Sequence, residues 1–211
     1  MLDSRRNILL ACALAALAGY VDAIGYLHLG GLFVSFMSGN STRMGVALAA
    51  GQWATAAESL GLIALFVIGA AAGSLIVLGH GVNRQPWLLM AEALLLGAAA
   101  LAYEFGRPDT AVAAIVLAMG MENAVFQIEG GAGLGLTYVT GALVKVGQLL
   151  AVALSGGARW GFVPNLLLWA ALAVGSVTGA LAYHWINLAA IWFAAAAALA
   201  LSAIVAVTVH R

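Results

Sequence analysis

Charge is what this sequence most lacks: Asp, Glu, Lys and Arg make up 8% of 211 residues, where soluble globular chains carry about 25%. With 64% hydrophobic residues and a mean hydropathy of +1.07, that shortage excludes a soluble globular domain and predicts an all-α, polytopic membrane protein. The eight basic and eight acidic residues cancel, and no run of like charge occurs. A nucleic-acid partner and a polybasic lipid-binding arm are therefore not expected. Cys12 is the only cysteine, so neither an intrachain disulfide nor a thiolate metal site can form within the chain. Long polar or Ser/Pro-rich stretches are missing as well, which leaves a single membrane domain over 1–211. There is no G-x-x-x-x-G-K-[ST] loop and no histidine-acid spacing of a zinc site. No cofactor or metal is expected, and any driving energy would come from gradients or a separate partner.

What is present is a series of apolar runs. Arg5 and Arg6 precede the first and imitate an export signal. The run continues to about Leu27, near the ~20 residues that span a bilayer, so it predicts a first transmembrane helix with its basic end inside. Further spans are predicted over about 57–78, 87–103, 111–127, 165–184 and 187–209. Pro86 suits a first helical turn. Trp53, Trp87, Trp160 and Trp185 fall near span ends, where indoles anchor at the interface.

Two polar seams interrupt the apolar runs: F-V-S-F-M-S-G-N-S-T-R-M-G, Phe33 to Gly45, and L-T-Y-V-T-G-A-L-V-K-V-G, Leu136 to Gly147. Each follows an acid and a double glycine, Asp22 with Gly30-Gly31 and Glu122 with Gly130-Gly131, a separation of 100 in both cases. Within the seams Phe36, Ser38, Gly39, Arg43 and Gly45 match Tyr138, Thr140, Gly141, Lys145 and Gly147 at a separation of 102. Gly69 and Gly73 match Gly175 and Gly179 at 106. An ordered acid, double glycine, hydroxyl-glycine and cation predicts an internal repeat, with halves over approximately 7–104 and 110–209.

If both seams are broken or re-entrant, each half crosses three times and the halves are inverted. Arg5, Arg6, Arg84, Arg159 and Arg211 then lie inside and Arg107 outside, as the positive-inside rule requires. If both seams cross, eight spans result and Arg84 and Arg107 exchange sides, with the same tally. Six crossings are preferred, because Arg43 and Lys145 would otherwise sit at membrane depth, at about 3 kcal/mol each.

Helical side chains lean toward the N-terminus, so Arg43 lies back over Gly39 and Lys145 over Gly141, each beside an open notch. Asp22 and Glu122 are the expected counter-ions, and the pairs would either fix the seams in place or bind a polar solute. Ser35, Ser38, Asn40, Ser41 and Thr42 crowd the first seam, Thr137 and Thr140 the second, and Asn123 sits beside Glu122. Singly such residues favour helix packing; clustered after a glycine break they suggest a cavity between broken helices. Glu92 stands inside a span without a matching acid and is a candidate for proton coupling, against snorkelling or a pairing with Arg84. Ser38 with His28 or His184 could be drawn as a nucleophile and base, but no elbow or third group supports catalysis, and no enzyme activity is expected.

G-Y-V-D-A followed by F-x-x-F-M-S-G-N-S-T-R-M-G, within Gly19 to Gly45, resembles the YoaK-like family of bacterial inner-membrane proteins. The resemblance implies six spans, a place in the cytoplasmic membrane and a predicted role as a small-molecule permease. It puts the family's aromatic, hydroxyl-Gly-Asn seam at Phe36, Ser38, Gly39 and Asn40, with Ser38 where threonine is as common.

The expected protein is thus a secondary permease in the lipid bilayer for a small polar or weakly ionic solute, multi-pass, with both termini cytoplasmic. A homodimer is a candidate assembly. A non-transporting scaffold or assembly factor, and a channel, are the alternatives. The expected solute site comprises Asp22, Phe36, Ser38, Gly39, Asn40, Thr42, Arg43, Glu122, Asn123, Tyr138, Thr140, Gly141 and Lys145.

Overall fold

The structure, a computed structural model, describes residues 5–79, 84–126 and 139–209. Eight α-helices account for nearly all of them: α1 Arg5–His28, α2 Met37–Ala49, α3 Trp53–Gly79, α4 Gln85–Glu104, α5 Pro108–Glu122, α6 Val139–Leu154, α7 Val163–Ile186 and α8 Ile191–Val209. Short 3-10 turns, Asn123–Phe126 and Asn187–Ala190, extend α5 and join α7 to α8. Asn7–His28, Trp53–Leu78, Gln85–Glu104 and the joined α7–α8 stretch Val163–Thr208 are long and apolar enough to cross a membrane. Pro86, Pro108 and Pro164 each stand in the first turn of a helix, where a missing N–H costs nothing. Trp53, Trp87, Trp160 and Trp185 are 64–85% exposed at helix ends or in the connection before α7, as interfacial anchors should be.

The first seam folds back on α1. α1 ends where Gly31 N–H donates to the Tyr26 carbonyl (2.8 Å), with Gly30 at φ +59° and Gly31 at φ +102°, a glycine-dependent helix cap. The chain then doubles back along α1: Val34 packs on Gly25, and Val34 and Ser35 reach Asp22, about two turns before the end of the helix. α2 climbs again, with Asn40 level with Phe33 and Arg43 level with Gly30. It therefore emerges on the side it left, and a turn at Gly51 (φ +70°) starts α3.

Contacts fix the directions of the long helices. His28, Tyr103 and Tyr183, in the last turns of α1, α4 and α7, form one edge-packed aromatic cluster, so these three helices end on the same face. α3 runs parallel to α5, because Gly69 lies on Leu117 and Gly73 on Met121. α5 is antiparallel to α4, with Gln85 Nε2 donating to the Val125 carbonyl (3.2 Å). α8 is antiparallel to α4 as well, held by Ser202 Oγ to the Pro86 carbonyl (2.8 Å) and Trp192 Nε1 to Glu104 Oε1 (2.7 Å). Hence α1, α3 and α4 run up, down, up, and α5, α7 and α8 run down, up, down. The start of α1 and the end of α8 share a face.

The α1–α7 and α3–α5 contacts have the same construction. Gly175 and Gly179 of α7 lie against the Ala16 and Tyr20 carbonyls, and Gly19 of α1 lies against that of Leu172. In the other pair, Gly69 and Gly73 lie on Leu117 and Met121, and Gly120 on Phe66. Six glycines thus let backbone meet backbone where any Cβ would collide. The residues that take the same place in the two contacts, Gly19 and Gly120, Ala16 and Leu117, Tyr20 and Met121, stand 101 positions apart, whereas the acids Asp22 and Glu122 stand 100 apart.

With this arrangement, single cysteines in a Cys12→Ala background should divide by face. Arg84→Cys and Arg159→Cys should react with an impermeant maleimide from one side and Arg107→Cys from the other. Arg107 and Arg159 labelling together, with Arg84 opposite, would mean that the seams cross.

Candidate functional site

Three side chains brace the first seam. Asp22 Oδ1 accepts from the backbone N–H groups of Val34 and Ser35 (2.8 Å each), and the Ser35 hydroxyl adds a further bond to the carboxylate. Asn40, fully buried, grips Phe33 at two points: Oδ1 accepts from its N–H (2.9 Å) and Nδ2 donates to its carbonyl (2.7 Å). Arg43 Nη2 donates to the Gly30 carbonyl at the end of α1 (2.8 Å), where a helix C-terminus favours a cation. An extended segment inside a membrane protein must satisfy its own backbone polar groups. The composition of the seam follows from that demand.

These bonds overturn the predicted ion pairs. Asp22 is committed to the backbone of the seam and Arg43 to Gly30, so the two do not pair. The notch beside Gly39 is filled by the Phe36 and Phe33 rings, which pack edge to face (5.3 Å). Lys145 is exposed, and its expected counter-ion Glu122 is buried with no hydrogen-bond partner among the described residues. Thr42 Oγ1 bonds back to the Ser38 carbonyl, and Asn123 Nδ2 to that of Met119, both local helix bonds. Tyr138, together with Leu136, Thr137 and the Gly130-Gly131 break, lies outside the described residues.

What remains of the predicted set meets in a cleft. Residues Ser35 to Ser38, at the start of α2, face Thr140, Gly141 and Val144 of α6 across a cavity of about 500 Å³, with Phe66 between them. A second cavity of about 680 Å³ adjoins it through the shared lining residues Ser35, Phe36 and Thr140. Its wall includes Asp22, Tyr26 and Phe33 on one side and Trp169, Leu172 and Ser176 on the other. The two seams, a hundred residues apart in sequence, therefore line one space. Its walls are mainly apolar and aromatic with a few hydroxyls, as small-molecule sites commonly are. The start of α2 points here without a side-chain cap. His28 engages Tyr183 (3.3 Å), which places its hydrogen bond away from Ser38.

Sequence reasoning missed Gly19 and Gly120 as contact residues, although Ala15-x-x-x-Gly19 carries the small-x-x-x-small signal. It also kept Glu92 apart from Glu122. Both are fully buried and lie within electrostatic reach of each other, and none of their four carboxyl oxygens has a hydrogen-bond partner among the described residues.

Comparison with known proteins places the chain. A family profile described as "protein of unknown function (DUF1275)" matches residues 10–204. The chain is 39% identical over 198 residues to UPF0700 transmembrane protein RA0705 of Rhizobium meliloti (strain 1021), covering 93% of this chain and 85% of that protein. It is 32% identical over 149 residues to UPF0700 transmembrane protein YoaK of Bacillus subtilis (strain 168), covering 67% of this chain and 65% of YoaK. No solved structure matches. Braced seam, aromatic-walled cleft and apolar helices thus belong to a chain that is a member of the YoaK-like DUF1275 family of transmembrane proteins.

Proposed function

We propose that the protein is a small-molecule permease of the cytoplasmic membrane, built from two related and inverted halves, 7–104 and 110–209. Its solute would pass through the cleft between the starts of α2 and α6. The observation that carries this reading is the convergence of the two seams on one cavity, with Ser35, Ser38 and Thr140 around Phe36. Broken helices that open onto a cavity are a recurrent way for carriers to bind solutes. The opposed directions of the two helix sets and the paired glycine contacts support the inverted halves. The excess of arginine on one face supports cytoplasmic termini.

A small polar or weakly ionic solute is the reading the few hydroxyls of the lining support. Among the described residues Asp22 supplies the one ionisable carboxyl of the cavity wall, and it is already engaged with the seam backbone.

A thermal-shift screen of the purified protein against a metabolite library tests for a ligand, which should raise the melting temperature in proportion to its occupancy. In proteoliposomes that ligand should enter saturably. Ser38→Trp and Thr140→Trp, both at exposed positions facing the cleft, should lower uptake at least tenfold while melting as the wild type does. Unsaturable flux would favour a channel. The absence of both a stabilising ligand and flux would favour a scaffold.

A further inference from the structure

Glu92 and Glu122 have no place in the cleft, and their surroundings are unlike it. Glu92 lies in the middle of α4 among the buried residues Leu88, Leu89, Ala93 and Leu96. Glu122 ends α5 among the buried Ala118, Met119 and Met121. α4 packs antiparallel on α5, and the two buried carboxyls lie within electrostatic reach of each other. Each is 0% exposed, and no described donor or cation touches either.

The ionisable side chains on the surrounding elements are few. α8 and both 3-10 turns carry none. α3 carries Glu58, exposed near its start. α5 adds Asp109, exposed in its first turn. α4 has Arg84 before it and Tyr103 and Glu104 at its end, with Glu104 bonded to Trp192. Described α1 side chains are Cys12, Tyr20, Asp22, Tyr26 and His28, of which Asp22 is held by the seam and His28 by Tyr183.

Two bare carboxylates cannot share such surroundings. An ion buried without a partner is so costly that the group takes up a counter-charge instead, and two adjacent carboxylates add their mutual repulsion. A divalent metal ion is a poor candidate, since magnesium and calcium require about six or more oxygen ligands and the described neighbours are apolar. A proton needs only one oxygen, and a carboxylic acid beside a carboxyl supplies both donor and acceptor.

We propose that Glu92 and Glu122 together form one intramembrane proton-binding site, separate from the cleft. Its use to drive solute movement would rest on the permease reading; its existence does not.

Infrared spectroscopy of the purified protein in detergent at neutral pH tests the site with no solute. Wild type should show the carbonyl band of a protonated carboxylic acid. Glu92→Gln and Glu122→Gln should each shift or weaken that band, the double substitution should remove it, and Asp22→Asn should leave it in place. Glutamine matches glutamate in size, and circular dichroism confirms the fold of each variant. A folded wild type without the band, or a band that survives in the folded double variant, would overturn the proposal. If the double variant does not fold, retention of an unchanged band in both single variants has the same force. A band that sodium abolishes at constant pH would replace the proton with a metal cation and would also overturn it.

Discussion

Gly175→Leu should prevent the protein from folding, and Gly175→Ala alone should lower its melting temperature sharply. A Cβ at this position falls on the carbonyl of Ala16, and the next nearest atoms are also α1 backbone. A flexible side chain can rotate away from such a contact, but a helix backbone can yield only by moving the whole of α1. Overpacking costs typically about 1–3 kcal/mol, and the upper end applies where the neighbour is rigid. The same result is expected at Gly69, which lies on Leu117 in the other helix pair. Gly97→Ala is the internal control. Nothing lies within 4 Å of its Cβ position inside α4, so it should be neutral or stabilising by up to about 1 kcal/mol, the ordinary helix preference for alanine. Thermal unfolding in detergent separates the two outcomes. Equal effects of Gly175→Ala and Gly97→Ala would mean that the α1–α7 contact is looser than these distances require.

Asp22→Ala should have the second-largest effect. The carboxylate is the acceptor for two backbone N–H groups of the descending segment, and a hydrogen bond to a charged group contributes about 1.5–3 kcal/mol. Losing both should cost about 3 kcal/mol or more and release the segment that forms one wall of the cleft. Asp22→Asn is the informative companion. Both N–H groups bond to the same oxygen, Oδ1, and asparagine retains one carbonyl oxygen for that position. A mild loss for Asn beside a severe loss for Ala would establish the bracing role. Equal losses would show that the negative charge itself is needed, as in direct contact with a solute.

Much of the fold is legible in the order of the residues. Span positions depend on runs of apolar residues, which are local. Gly30 and Gly31 mark the break after α1, and both adopt the positive φ that favours glycine. The seam is also visible as a seam, but the tasks of its residues are not. Asp22 and Arg43 have opposite charges at a plausible separation, and sequence alone cannot distinguish partners from neighbours. Each finds a backbone group instead, because the bend between them exposes N–H and C=O groups that charge pairing would have left unsatisfied. In the same way the match of Asp22 to Glu122 at 100 positions rests on residue type, whereas the residues that take the same place in the two glycine contacts stand 101 positions apart. Glu92 and Glu122, thirty positions apart, give no sign of belonging together, since their meeting depends on how α4 packs on α5.

Composition and local periodicity are enough to settle the solvent this chain lives in, the approximate extents of its long helices and the break after α1. They do so through the cost of placing polar backbone and charge in hydrocarbon. Tertiary packing was needed to settle that the first seam returns to the side it left and that the two seams line one cleft. It also assigned one acid to the backbone and left another pair buried without partners among the described residues. Those outcomes depend on contacts between residues distant in the chain, and the close approaches at Gly19, Gly69, Gly73, Gly120, Gly175 and Gly179 set the register in which they form.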